Sequence, residues 1–88
     1  MIDRRKRFVY FIRSEKDDTP YVGVTCDVAQ RLETHNSGGS SYTAGHRPWR
    51  LVVALEFSDE DSALAFERYY LERFIGDTTR PRISRSAR

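Results

Sequence analysis

An arginine and a histidine on the apolar face of one short helix pose the first chemical question. In "DVAQRLETHN", residues 27–36, helical neighbours recur three and four apart, so Val28, Arg31, Leu32 and His35 share a face. A second helical stretch carries Glu67 inside an apolar set at 63, 64, 66, 70, 71, 74 and 75. Two phenols, Tyr10 and Tyr21, fall on one face of a strand pair. A buried carboxylate is costly unless it is compensated, so Glu67 calls for an arginine, a metal or water beside it. Each residue alone has a packing explanation: an Arg31–Glu67 ion pair, a hydrogen-bonded histidine, tyrosines in strands. Together they form a set suited to phosphodiester hydrolysis. A carboxylate can hold a divalent metal, an arginine can neutralise phosphate, and a phenol or imidazole can move protons.

Other chemistries fail on inventory. Two histidines and one cysteine without short ligand spacing do not make a zinc site. Gly38-Gly39 has no Lys-Ser or Lys-Thr after it and does not join a strand to a helix, so it is no nucleotide cradle. Cys26 has no base beside it in sequence and reads as a small, at least half-buried residue. Trp49 and the phenylalanines read as core.

The elements that must position these groups follow from patterning. "RFVYFIR" and "TPYVGVT" are strand-like, and "SEKDD" between them supplies a turn, which makes a hairpin. A turn centred near Lys16 sets Tyr10 opposite Gly23 and diagonal to Tyr21. Asp27 and Gln30 start the first helix, and Asn36, Gly38 and Gly39 end it. "NSGGSSYTAGHRP" reads as a loop, and "WRLVVALEF" as a third strand entered through Pro48. Ser58 and Asp61 are the expected caps of a long second helix running to about Ile75. The fold class is α+β, a three-stranded, mostly antiparallel sheet covered by helices in the order β-β-α-β-α.

A length of 88 residues sets one domain, 1–88, with a core over about 7–76 small enough that every strongly apolar position is expected to belong to it. The single cysteine excludes an internal disulfide and fits a reducing compartment. No segment reads as a signal sequence or a membrane span, so the expected location is cytoplasmic, with no membrane partner. Net charge is +2, yet residues 8–77 carry −5 and both ends are basic. Thirteen of the fifteen basic side chains are arginine, the type that grips phosphate bidentately, so the ends read either as solubilising or as phosphate-contacting. The tail 77–88 is expected to be flexible.

"FVYFI", "YVGVT" and "DVAQRLETHN", in this order, resemble the GIY-YIG nuclease superfamily, and "SGGSSYT" and "RPWRLV" resemble its small standalone branch. The resemblance runs from about Phe8 to Phe74. Val9-Tyr10 stands where the first motif has Ile-Tyr, with Phe8 in place of its glycine, and Tyr21-Val22-Gly23 stands for the second. It implies catalytic roles for Tyr10, Tyr21, Arg31, His35 and Glu67, with Glu67 the ligand of one Mg2+ or Mn2+. Tyr21 would then be the base for the attacking water, with Tyr10 and His35 relaying or orienting. Substrate contacts are implied at Gly23, Tyr42, Thr43, His46 and Arg47, although Ser41 occupies a position that is usually basic.

Three readings follow. The first is a metal-dependent DNA endonuclease of single-stranded, branched or distorted DNA, acting alone, as a homodimer or with a protein partner. The second is a non-catalytic nucleic-acid-binding module or a partner subunit of a DNA repair or processing complex. The third is a structural protein in which Arg31 and Glu67 are simply paired.

Overall fold

The computed structural model describes residues 6–75. In chain order the elements are β1 (Arg7–Ser14), β2 (Pro20–Thr25), α1 (Val28–Asn36), α2 (Ser41–Ala44), β3 (Trp49–Phe57) and α3 (Glu60–Tyr70), with a π-helical turn at Leu71–Ile75. The sheet order is β2-β1-β3 and both pairings are antiparallel, so the α+β architecture is the expected one. Tyr10 pairs with Gly23, and the register runs from Phe8↔Thr25 to Arg13↔Pro20. Ser14 sets this register from the turn: its buried Oγ accepts from the Lys16 and Asp17 N–H groups at 3.0 and 3.1 Å.

Strand alternation divides the interior into two layers. Tyr10, Ile12, Tyr21 and Trp49 form one cluster, covered by Val28 and Leu32 of α1 and Tyr42 of α2. Val9, Val22 and Val24 form the other with Ala63 of α3, edged by Phe11, Phe57, Leu64, Phe66, Tyr70 and Leu71. Helices therefore cover both faces of the sheet. The first cluster is the one built around the phenols.

Four expectations are corrected. The Gly/Ser-rich stretch after α1 holds a one-turn helix, α2, which tertiary contacts rather than propensity sustain, since four residues lie far below an autonomous helix length. The cap of α3 is Asp59, not Ser58 or Asp61: its carboxylate accepts from the Ser62 N–H at 2.7 Å, and Asp61 sits in the first turn, where it complements the helix dipole. The long helix changes to π geometry at Leu71. Finally, β3 does not commit its apolar residues to the core. Leu51, Val52, Val53 and Leu55 are 42%, 54%, 43% and 38% exposed, because the buried clusters under the helices are built from β1 and β2 and take only Trp49 from β3, whose register is irregular around Val52. The residues of the two basic ends that lie in 1–5 and 76–88, the tail included, fall outside the described residues.

Candidate active site

Tyr10 sits on the central strand and points under α1, where its Oη lies 2.8 Å from His35 Nε2. The other ring nitrogen of His35, Nδ1, is 2.8 Å from Thr43 Oγ1. Thr43 Oγ1 in turn donates to the Ser40 carbonyl at 3.4 Å. Tyr21 joins this row from β2: it shares a hydrogen bond with Tyr10, and its ring meets the His35 ring edge-on with centroids 4.9 Å apart. A helix, a strand pair and the one-turn α2 thus converge on a single hydrogen-bonded row. Tyr10, His35 and Thr43 are completely enclosed, whereas Tyr21 retains 2% of its surface.

Burial decides the protonation states. Loss of water, followed by the neighbouring Tyr21 and the charge of Glu67, pushes the Tyr10 phenol far above the usual tyrosine range, and Arg31 only partly offsets this. His35 is pushed down to about 4, first by burial and then by the Arg31 guanidinium, so it is neutral at physiological pH. Arg31 is half-buried on α1 and Glu67 is 3% exposed on α3, and both act electrostatically on the Tyr10 phenol.

A stability prediction follows from His35. Its folded pKa lies below its unfolded value, so the unfolded chain binds the proton first as pH falls. The stability of the neutral imidazole is present above about pH 6.5 and is lost on descent toward pH 4. Urea midpoints measured across this window should fall with acidification in the wild type, and the slope should flatten in His35→Gln. An equal slope in both would assign the acid sensitivity to other groups. Asp17 and Asp59, whose carboxyls are held low by hydrogen bonds from Thr19 and His46 and from Ser62, contribute mostly at more acidic pH.

Gly23 has a steric function. A Cβ there would lie 2.6 Å from Tyr10 Oη and 2.8 Å from its ring carbon Cζ, so only glycine lets the phenol lie across β2. Asn36, read from sequence only as a helix end, locks α1 to β3: its amide donates to the Trp49 carbonyl at 3.0 Å and its Oδ1 accepts from the Trp49 N–H at 2.6 Å. A buried Trp49 indole N–H donates to the Thr43 carbonyl at 2.9 Å, which holds α2 in place. Such clamps leave no periodicity in the sequence.

The remaining predicted contact residues lie around the rim. Tyr42 packs on Tyr21 with ring centroids 6.0 Å apart, and His46 lies 6.0 Å from Tyr42. His46 Nδ1 is 2.6 Å from the Asp17 carboxylate of the β1–β2 turn. Arg47 is exposed, folds back over Gly38, and donates from Nε to the Ala44 carbonyl at 2.7 Å. Thr43 differs from these three: it lies inside the row rather than on the rim.

Among the described residues no group of three or more His, Cys, Asp or Glu side chains gathers as a metal cluster. Glu67 offers one enclosed carboxylate. A hard oxygen donor of this kind fits Mg2+ or Mn2+, ions that bind through one or two carboxylates and complete their shells with water and substrate phosphate.

One small α+β domain thus carries two phenols, a guanidinium, an imidazole and a buried carboxylate, at Tyr10, Tyr21, Arg31, His35 and Glu67 in chain order. Residues 6–80 match the GIY-YIG catalytic domain, and the chain belongs to that family. It is similar to the UPF0213 protein YazA of Bacillus subtilis, at 36% identity over 70 residues covering 78% of this chain and 70% of that protein. The UPF0213 protein YsiG of Lactococcus lactis is 33% identical over 69 residues, covering 77% of this chain, and the chain spans only 65% of that relative's length. Among solved structures, the solution structure of the UPF0213 protein BH0048 from Bacillus halodurans is 35% identical and covers 74% of this chain and 69% of its own, with a TM-score of 0.46. No helix among the described residues is long and apolar enough to cross a membrane.

Proposed function

We propose that the chain is a divalent-metal-dependent endonuclease that hydrolyses phosphodiester bonds in single-stranded, branched or distorted DNA. The observation that carries this reading is the buried row of Tyr21, Tyr10 and His35, lying within the fields of Arg31 and Glu67. Tyr21 is the least enclosed of the three, and it is the group we assign to the attacking water. As the water oxygen forms its bond to phosphorus and the scissile P–O bond breaks, the water proton passes to Tyr21 Oη. The phenolic proton of Tyr21 moves to Tyr10 Oη, and that of Tyr10 to His35 Nε2. Desolvation and Arg31 keep His35 a weak base, so the proton does not rest there and returns to solvent along the same row. Arg31 meets the negative charge that grows on the phosphate oxygens. Glu67 would hold the divalent cation, which when bound would supply Lewis acidity for the hydrolysis. Tyr42 can stack a splayed base, and His46 and Arg47 line the same rim for the backbone.

The test is cleavage of end-labelled single-stranded, duplex and branched DNA by the purified protein, with Mg2+, Mn2+ or EDTA. Products should require metal, and the rate should rise from mildly acidic to alkaline pH. Tyr21→Phe should slow cleavage by about 10²- to 10⁴-fold, the usual range for loss of a general base. A Tyr21→Phe enzyme as fast as wild type would remove the assigned base. The complete enclosure of Tyr10 and His35 favours a second reading, a nucleic-acid-binding module or partner subunit without hydrolysis. Tight DNA binding with no product on any substrate would select it.

A further inference from the structure

Buried polar groups need partners at every donor and acceptor, and a fully enclosed imidazole therefore has its tautomer set by whatever meets its two nitrogens. For His35 one neighbour is the Tyr10 hydroxyl at 2.8 Å and the other is the Thr43 hydroxyl at 2.8 Å, and each of these can donate or accept. The tie is broken one step further along. Thr43 Oγ1 lies 3.4 Å from the Ser40 carbonyl, and a carbonyl oxygen can only accept. With its proton on that bond, Thr43 offers a lone pair to Nδ1, which must then carry hydrogen. Nε2 is left as the acceptor, and the Tyr10 O–H points to it.

We propose that Thr43 is a positioning residue: its hydroxyl, anchored on the Ser40 carbonyl, holds His35 in the Nδ1–H tautomer and thereby orients the Tyr10 proton toward Nε2. All donors from Tyr10 onward then point inward, toward Ser40, which is the direction a proton leaving an outer phenol must travel. The one-turn α2 is the device that builds this. The Ser40 carbonyl also accepts from the Ala44 N–H at 3.0 Å, and the Thr43 carbonyl accepts from the Trp49 indole at 2.9 Å, so donors on both sides fix the backbone on which the hydroxyl rides. Thr43 itself is fully enclosed, so it acts through His35. Its effect on rate rests on the nuclease reading above, whereas its effect on the tautomer does not.

The experiment reads the His35 ring nitrogens of the ¹⁵N-labelled full chain at neutral pH by long-range ¹H–¹⁵N correlation, alongside cleavage rates for wild type, Thr43→Val and Thr43→Ser. Nδ1 should be the protonated nitrogen in the wild type. Thr43→Val keeps the shape without the hydroxyl; it should shift the ring toward the Nε2–H form and slow cleavage about 10- to 100-fold, the range for partners that orient an active imidazole. Thr43→Ser should restore both readouts. A wild-type His35 protonated on Nε2 overturns the proposal without any variant being needed, and so does a Thr43→Val chain with unchanged tautomer or, where the wild type cleaves DNA, with unchanged rate. If the wild type has the expected tautomer and cuts no DNA, the nuclease reading fails while the orientation of His35 by Thr43 stands.

Discussion

Glu67→Gln abolishes cleavage and leaves the chain folded: this is the largest effect expected for a single substitution. The side chain is 3% exposed, and glutamine preserves its shape and one acceptor while removing the charge. A neutral amide is a poor ligand for a hard dication, so the Lewis acidity is lost along with the field it would exert on the phosphate. Losses of this kind reach several kcal/mol in the transition state, or about 10³-fold in rate. Stability should hold or rise, because a buried carboxylate carries a desolvation cost that an amide escapes. Calorimetric titration with Mn2+ alone, without DNA, separates the binding defect from the catalytic one. Wild-type cleavage by Glu67→Gln would place the metal elsewhere, and wild-type Mn2+ binding with lost cleavage would give Glu67 a different role.

Gly23→Ala should destabilise the fold and disable the site together. The added methyl would sit 2.6 Å from Tyr10 Oη, 2.8 Å from Cζ and 2.9 Å from Cε1, so the collision is with the rigid ring as well as its hydroxyl. Tyr10 cannot swing away cheaply, since it is fully enclosed and hydrogen-bonded to His35. Overpacking of a filled core costs about 1–3 kcal/mol, and any relaxation must displace the phenol from Nε2. Urea unfolding should show the lower midpoint, and cleavage should fall even where the chain is still fully folded. Tyr10→Leu combined with Gly23→Ala should recover part of the stability but none of the activity, a coupling that a double-mutant cycle measures. A Gly23→Ala chain as stable and as active as wild type would mean that the phenol does not need the bare backbone beneath it.

How much of this was legible beforehand depended on the range of each interaction. Strand pairing about Tyr10 and Gly23, the α1 face with Arg31 and His35, and the start of α1 at Asp27 all follow from periods of two and 3.6 and from short-range capping. The enclosure of Glu67 within the apolar face of α3 was readable for the same reason. β3 was readable as a strand but not as an edge, because an apolar run looks the same whether or not a neighbour covers it. The α2 turn was hidden in a stretch whose composition reads as loop, and only Thr43, Trp49 and Asn36 reveal why it is ordered.

From the residues alone came the inventory, namely two phenols, an imidazole, a guanidinium and a carboxylate, and the local elements that carry them. What tertiary structure decided was their connection: that Tyr10 reaches His35 across 25 positions, that Thr43 closes the row from inside, and that Asp17 meets His46 from the opposite turn. Local elements arise from interactions a few residues apart, which sequence spacing records directly. A hydrogen-bonded row depends on angstrom-scale distances between elements, and those are set by the packing of the whole core at once.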